Sequence, residues 1–182
     1  MKVYAETERL ILRELMPADE EGMFELDSDP IVHKYIDNNP VKSRDQIREV
    51  ISFIRQQYEE RGIGRWAAIE KSSGDFIGWS GLKLNDEKEP LNGKVNFIDI
   101  GYRFIPRYWG KGYATESSLV ALDYGFKEKK YDTITGIALI ENIASIKVLQ
   151  KIGLEYIEDF MVHGELASWY ELKRINYEKN MS

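Results

Sequence analysis

Cysteine is absent from the sequence, and its absence removes disulfides, thiolate metal sites and any cysteine nucleophile. Histidine is scarce. His33 and His163 are the only two, far apart and without a spaced carboxylate motif, so neither a metal site nor a serine–histidine pair is expected. No apolar run approaches membrane-spanning length, and the opening residues, MKVYAETERL, lack the apolar stretch of a signal peptide. The expectation is a cytoplasmic protein with no membrane partner. An excess of positive charge is missing too: Lys and Arg number 25 against 31 Asp and Glu, a net charge of −6. That balance argues against general nucleic-acid affinity and is compatible with a cationic substrate. What is present is the composition of a folded protein, 182 residues of which 43% are hydrophobic and 12% aromatic. This is enough for one well-buried core and short for two, so residues 1–182 are expected to form a single domain.

Along the chain, RLILREL (9–15) alternates apolar and charged residues with period two and reads as a strand ended by Pro17. The stretch to about residue 62 reads as helical in two pieces, punctuated by Asp29-Pro30 and Asn38-Asn39-Pro40. Ser43 and Asp45 open the longer piece, which carries Ile47, Val50, Ile51, Ile54 and Tyr58. GRWAAIEKSSGDFIGWSGLKL then suggests a hairpin about Ser72–Asp75, and a polar loop leads to the strand VNFIDIGYRF. Next come the helix YATESSLVALDYGFKEKK with Leu119, Leu122 and Phe126 on one face, the strand TITGIALI and the helix IASIKVLQK closed by Gly153. Two last strands are expected near 154–162 and 166–176. The order β, α, α, β, β, β, α, β, α, β, β predicts an α/β protein with a mixed sheet and helices on its faces.

One stretch raises a chemical question. IPRYWGKGYATE (105–116) sets Gly110 and Gly112 one residue apart at the start of a helix. Glycines there can take positive φ and keep side chains clear of the amides, which makes the helix start a place for an anion. A nucleoside-triphosphate loop needs Gly-Lys followed by Ser or Thr, whereas Lys111 is followed by Gly112. A dinucleotide fingerprint needs a third glycine near the beginning of the chain, whereas position 115 is threonine and the motif lies past the middle. Both readings fail.

The run Trp109-Gly110-Lys111-Gly112-Tyr113-Ala114 resembles the pyrophosphate loop of the GNAT superfamily of N-acetyltransferases, with Gly112 and Ala114 on its last two fixed positions and Trp109 where Gln or Arg is usual. The wording YWGKGYATE, with TERLILREL before it and ENIASIKVLQKIGL after it, is similar to the ribosomal-protein N-terminal (Rim-type) branch. The resemblance implies the GNAT fold, with a mostly antiparallel mixed sheet and helices on both faces. It implies acetyl-CoA as cosubstrate, held without a metal. Phe104 would centre the pairing of a strand with pantetheine, Asn142 would lie beside the pantetheine arm, Ser145 would face the sulfur, and Lys147 would reach the phosphates. On the residues alone, Asn142 is a helix N-cap and Lys111 a possible point charge near a diphosphate.

Asp99 lies in an apolar strand between Phe97, Ile98 and Ile100. It is either a general base whose pKa is raised by burial, or a salt-bridged strand residue with Arg103 as partner. Glu141 competes for the role of base. The expected activity is transfer of an acetyl group to a primary amine, without a covalent acyl-enzyme; the rival is a non-catalytic acyl-CoA binding or sensing module. The acceptor is either a protein N-terminal amine or a cationic small-molecule amine, and the enzyme either a monomer or a homodimer. Glu25, Asp27, Asp29 and Asp37, with Tyr35, either line a site for a cation or form a solvated helix face.

Overall fold

The computed structural model describes residues 1–181. The alternation in RLILREL produces β2 (Leu10–Glu14), which buries Leu10 and Leu12 completely. It lies between a short first strand, β1 (Val3–Glu6), and β3 (Trp66–Glu70). β3 turns into β4 (Phe76–Asn85), and β5 (Phe97–Phe104) pairs along its whole length with β4. With β6 (Thr133–Leu139), β7 (Glu155–Val162) and β8 (Glu165–Lys173) they form one eight-stranded sheet in the order β1-β2-β3-β4-β5-β6-β8-β7. Every neighbouring pair is antiparallel except β5 and β6.

The helices cover both faces. α1 (Glu20–Ser28), α2 (Pro30–His33) and α3 (Arg44–Arg61) fill the region between β2 and β3 in the chain. α3 begins in a capping box, with Ser43 Oγ accepting from the Gln46 amide and Gln46 Oε1 accepting from the Ser43 amide, and ends at Gly62 with φ 66°. α4 (Tyr113–Asp123) and α5 (Ile143–Lys151) follow β5 and β6. Adjacent residues of a strand point to opposite faces. Accordingly Arg103 of β5 reaches Asp27 of α1, while its neighbour Tyr102 reaches Ser145 of α5.

Three local readings change. β1 is four residues long, too short for its alternation to register, and the last strand stops at Lys173, where α6 (Arg174–Met181) begins. α6 is anchored by Tyr177 stacked on Phe126. The glycine-loop helix turns its small residues inward: Ser117, Ser118 and Ala121 are buried with Leu122, while Leu119 is 47% exposed. It changes to a π-helical turn over Tyr124–Glu128, which brings Gly125 against Ile134 and Leu82. A leucine at that face would not fit so close to the sheet.

β4 and β5 are equally close. A Cβ on Gly78 would collide with the Arg103 carbonyl and with the Cα of Phe104. Backbone cannot swing aside as a side chain can. Gly78→Ala is therefore expected to cost about 1–3 kcal/mol of stability, read as a lower urea midpoint at unchanged m.

Candidate active site

β5 and β6 pair only through Asp99 with Thr135 and Ile100 with Gly136. Beyond that point they part, so residues 101–104 of β5 hold β4 on one edge and no strand on the other. A cavity of about 660 Å³ opens there. Its walls are the end of β5, the glycine loop and first turn of α4, one side of α5, and the segment 31–36 at α2.

The glycine loop is built as an anion cradle. Gly110 has φ 71° and Gly112, the N-cap of α4, has φ 84°. No side chain caps the helix, so the amides of Tyr113, Ala114 and Thr115, which have no intrahelical acceptor, remain available. A Cβ on Gly110 would meet nothing within 4 Å, and one on Gly112 only the end of Arg9. The room beside these amides is the room a diphosphate needs, and the helix dipole favours its charge. Trp109 lines the cavity and also ties the loop down. Its indole N–H donates to the Phe104 carbonyl at 2.6 Å, joining the loop to the end of β5.

A second set of contacts fixes the loop from behind. Glu116 accepts from the Thr7 hydroxyl at 2.5 Å and from Arg9 Nε at 2.7 Å, and Arg9 Nη1 donates to the Lys111 carbonyl at 2.9 Å. Arg9 also lies over the Tyr113 ring, 4.3 Å from its centroid. Thus the Thr-Glu-Arg of residues 7–9 and the Ala-Thr-Glu of 114–116, widely separated in sequence, form one contact. It also compensates the Glu116 charge, which would otherwise oppose an anion at the helix start.

On the opposite wall Asn142 caps α5, its side chain accepting from the Ser145 amide at 3.2 Å. The Tyr102 hydroxyl lies 2.9 Å from Ser145 Oγ. Burial pushes the Tyr102 pKa up to about 12, so the phenol keeps its proton at neutral pH. Tyr102 was not singled out from the sequence. Its signal was the alternation Ile98, Ile100, Tyr102, Phe104, which puts a polar tip on an otherwise apolar face.

Of the residues expected to meet cofactor, Phe104, Trp109, Gly110, Gly112, Tyr113, Ala114 and Asn142 line the cavity, as does Ser145. Lys111 and Lys147 do not; Lys111 Nζ lies 5.1 Å from the Tyr108 ring centroid, and Lys147 is exposed. Asp99 is also outside the lining. It pairs with Arg65, whose Nη2 donates to Oδ1 at 2.7 Å while Nη1 donates to the Asp99 carbonyl. The partner expected from the sequence, Arg103, is held by Asp27 at 2.6 Å. Glu141 is exposed immediately before Asn142 and acts electrostatically on Lys34. Among the four acids expected near a cation, Glu25 pairs with Arg107, Asp27 with Arg103, Asp37 with His33, and Asp29 caps α2 through the Ile31 amide. None lines the cavity, whereas Tyr35 does.

A strand that leaves its neighbour at mid-sheet, followed by a bare helix start and a capped helix across the gap, is a specific arrangement, and residues 9–155 match the acetyltransferase (GNAT) domain family. The chain belongs to the GNAT family of acetyltransferases. It is an acetyl-CoA-dependent N-acetyltransferase. Among similar proteins, YkkB of Bacillus subtilis is 31% identical over 171 residues, 93% of this chain and 95% of that one. The N-acetyltransferase p20 of Bacillus licheniformis is 32% identical over 149 residues, covering 82% and 80% of the two chains. The crystal structure of a GNAT-family acetyltransferase from Bacillus anthracis superposes with a TM-score of 0.78 at 25% identity, over 96% of this chain and 99% of the other.

The Glu116 contact gives the acetyltransferase a testable pH dependence. Burial pushes the carboxyl up, but hydrogen bonds from Thr7 and Arg9 outweigh it and hold the pKa below its ordinary 4.5. The unfolded chain therefore takes up this proton first as pH falls, so the contribution is complete at neutral pH and is lost on acidification below about 4.5. Glu116→Gln should cost about 1 kcal/mol at pH 7 and weaken acetyl-CoA binding. In chemical denaturation, the stability gap to the parent enzyme should close below that pH.

Proposed function

We propose that the enzyme acetylates a primary amine in the cleft where β5 leaves β6, by direct attack and without a covalent acyl-enzyme. One observation carries this: the free edge of β5, the bare first turn of α4 and the Tyr102–Ser145 hydroxyl pair face the same cavity. Acetyl-CoA supplies an activated acetyl thioester. The first-turn amides of α4 and the dipole behind them hold its diphosphate. The unpaired edge of β5 over residues 101–104 offers backbone groups to the pantetheine arm and an N–H to polarise the acetyl carbonyl. Asn142 keeps α5 in place, and the protonated Tyr102, beside Ser145, donates to the departing sulfur.

For the amine proton, Glu141 is the better-supported acceptor, acting through water. It adjoins Asn142 and acts on Lys34, two residues of the lining. Asp99, engaged with Arg65 on side chain and backbone, is assigned a structural role in keeping β5 in register. The Rim-type wording of the loop supports a protein N-terminal amine as acceptor, and the size of the cleft also suits a small amine.

Acetyl-CoA should raise the melting temperature with or without EDTA, by an amount equivalent to about 2.7 kcal/mol at a hundredfold excess over Kd. Tyr102→Phe should keep that shift and lose about 10²-fold in kcat. Asp99→Asn should lose stability and keep most of its kcat. Full turnover by Tyr102→Phe removes the phenol from the reaction, and a collapse of kcat in a folded Asp99→Asn returns the base to Asp99.

A further inference from the structure

The cavity is lined in part by Ile31, Val32, Lys34, Tyr35 and Ile36, and Arg103 of β5 lines it too. Its character departs from what the overall charge suggests. No aspartate or glutamate lines the cavity, and two cations do. Of the acids nearby, Asp27 is ion-paired with Arg103, and Asp37 lies 2.8 Å from His33 Nδ1. Arg103 is thereby largely neutralised. Lys34 makes no ion pair among the described residues; its side chain is hydrogen-bonded to Tyr35, whose ring centroid lies 4.8 Å from Nζ, and Glu141 acts on it at longer range. Beside it stand two large apolar side chains, Ile31 at 59% exposure and Ile36 at 39%.

A polyamine entering here would bring further positive charge to a lining that already holds two cations and no carboxylate. An acceptor with the opposite design fits. Its apolar part would cover Ile31 and Ile36, burying surface that water now wets, and an acidic group would meet the one unpaired ammonium.

We propose that the acceptor is a small amine with an apolar skeleton and a carboxylate, such as an aliphatic or aromatic amino acid, its carboxylate paired with Lys34. The proposal rests on the acetyl-transfer reading above. The neutral amine nitrogen bonds to the acetyl carbonyl carbon as the carbon–sulfur bond breaks. The proton lost by nitrogen is balanced by the one gained by sulfur, so the products are the N-acetyl amine and free CoA thiol. Lys34 takes no part in the proton transfer and is a specificity residue.

The test measures thiol release from acetyl-CoA by the full chain with leucine, phenylalanine, their amides, spermidine and a peptide with an N-terminal leucine. Leucine or phenylalanine should exceed its own amide and spermidine by at least about tenfold in kcat/KM. Lys34→Glu should abolish that preference while the thermal shift with acetyl-CoA persists. Spermidine, the amides or the peptide used as well as the free amino acids would overturn the proposal, as would an unchanged preference in Lys34→Glu. Acetyl-CoA stabilising the enzyme while no amino acid is turned over refutes this acceptor and leaves the cofactor site standing. A melting curve unmoved by acetyl-CoA takes both down.

Discussion

The parting of β5 from β6 after two residue pairs is the constraint on which the rest of the site depends. A strand inside a sheet normally has both edges satisfied, and leaving one edge open inside a protein is costly unless something pairs with it. Here the open edge spans residues 101–104, and α4 and α5 prop the gap rather than closing it. The chain thus holds backbone donors and acceptors along this edge with no strand to pair them, the Phe104 carbonyl being met by the Trp109 indole. Pantetheine, a linear arm with two amides, is an extended ligand that can pair with them. The first turn of α4 and one side of α5 both line the cavity that this divergence leaves open.

Holding such a gap open demands rigidity elsewhere, and the structure supplies it through contacts distant in sequence. Glu116 is the clearest case: it sits in the first turn of α4, where a carboxylate is favoured by the helix dipole but would repel a phosphate. Thr7 and Arg9 draw it to the back of the loop. The loop carbonyl at Lys111 is bound by the same arginine, and the Trp109 indole fastens the other side to Phe104. Two glycines with positive φ would otherwise leave the segment mobile. The first turn of α4 can stay bare because Thr7, Arg9 and Glu116, which fasten it, do not line the cavity.

Much of this was legible in the sequence because it is local. The Ser43–Gln46 capping box, the hairpin at residues 72–75, the helix over 143–151 and the glycine loop each announce themselves within a few residues. The order of such elements implies a mixed sheet with helices on its faces, and the resemblance implies the GNAT fold. What stayed hidden is what packing decides. α4 faces the sheet with serine, alanine and glycine because the approach is close, so the hydrophobic pattern pointed to Leu119, which is half-exposed. The partner of Asp99 is Arg65, 34 residues away on the lead-in to β3, while the nearby Arg103 points across β5 to α1. Strand alternation could have ruled on which face each lies, but not on which cation would arrive there.

The acceptor wall shows why composition misleads about a site. A net charge of −6 describes the molecule as a distant ion meets it, whereas at physiological salt the field of a surface charge fades within about 8 Å. Inside the cleft only the groups that line it and their immediate partners count. Asp27 is buried against Arg103, and His33 Nδ1 meets Asp37 while its buried Nε2, 4.0 Å from Asp27, has no hydrogen-bond partner. The first pair ties α1 to β5, and the second joins the end of α2 to the segment that follows it. The side chains lining the cavity include Lys34 and Arg103 and no carboxylate. An acidic protein can in this way line a pocket with basic side chains, because its carboxylates lie outside that lining.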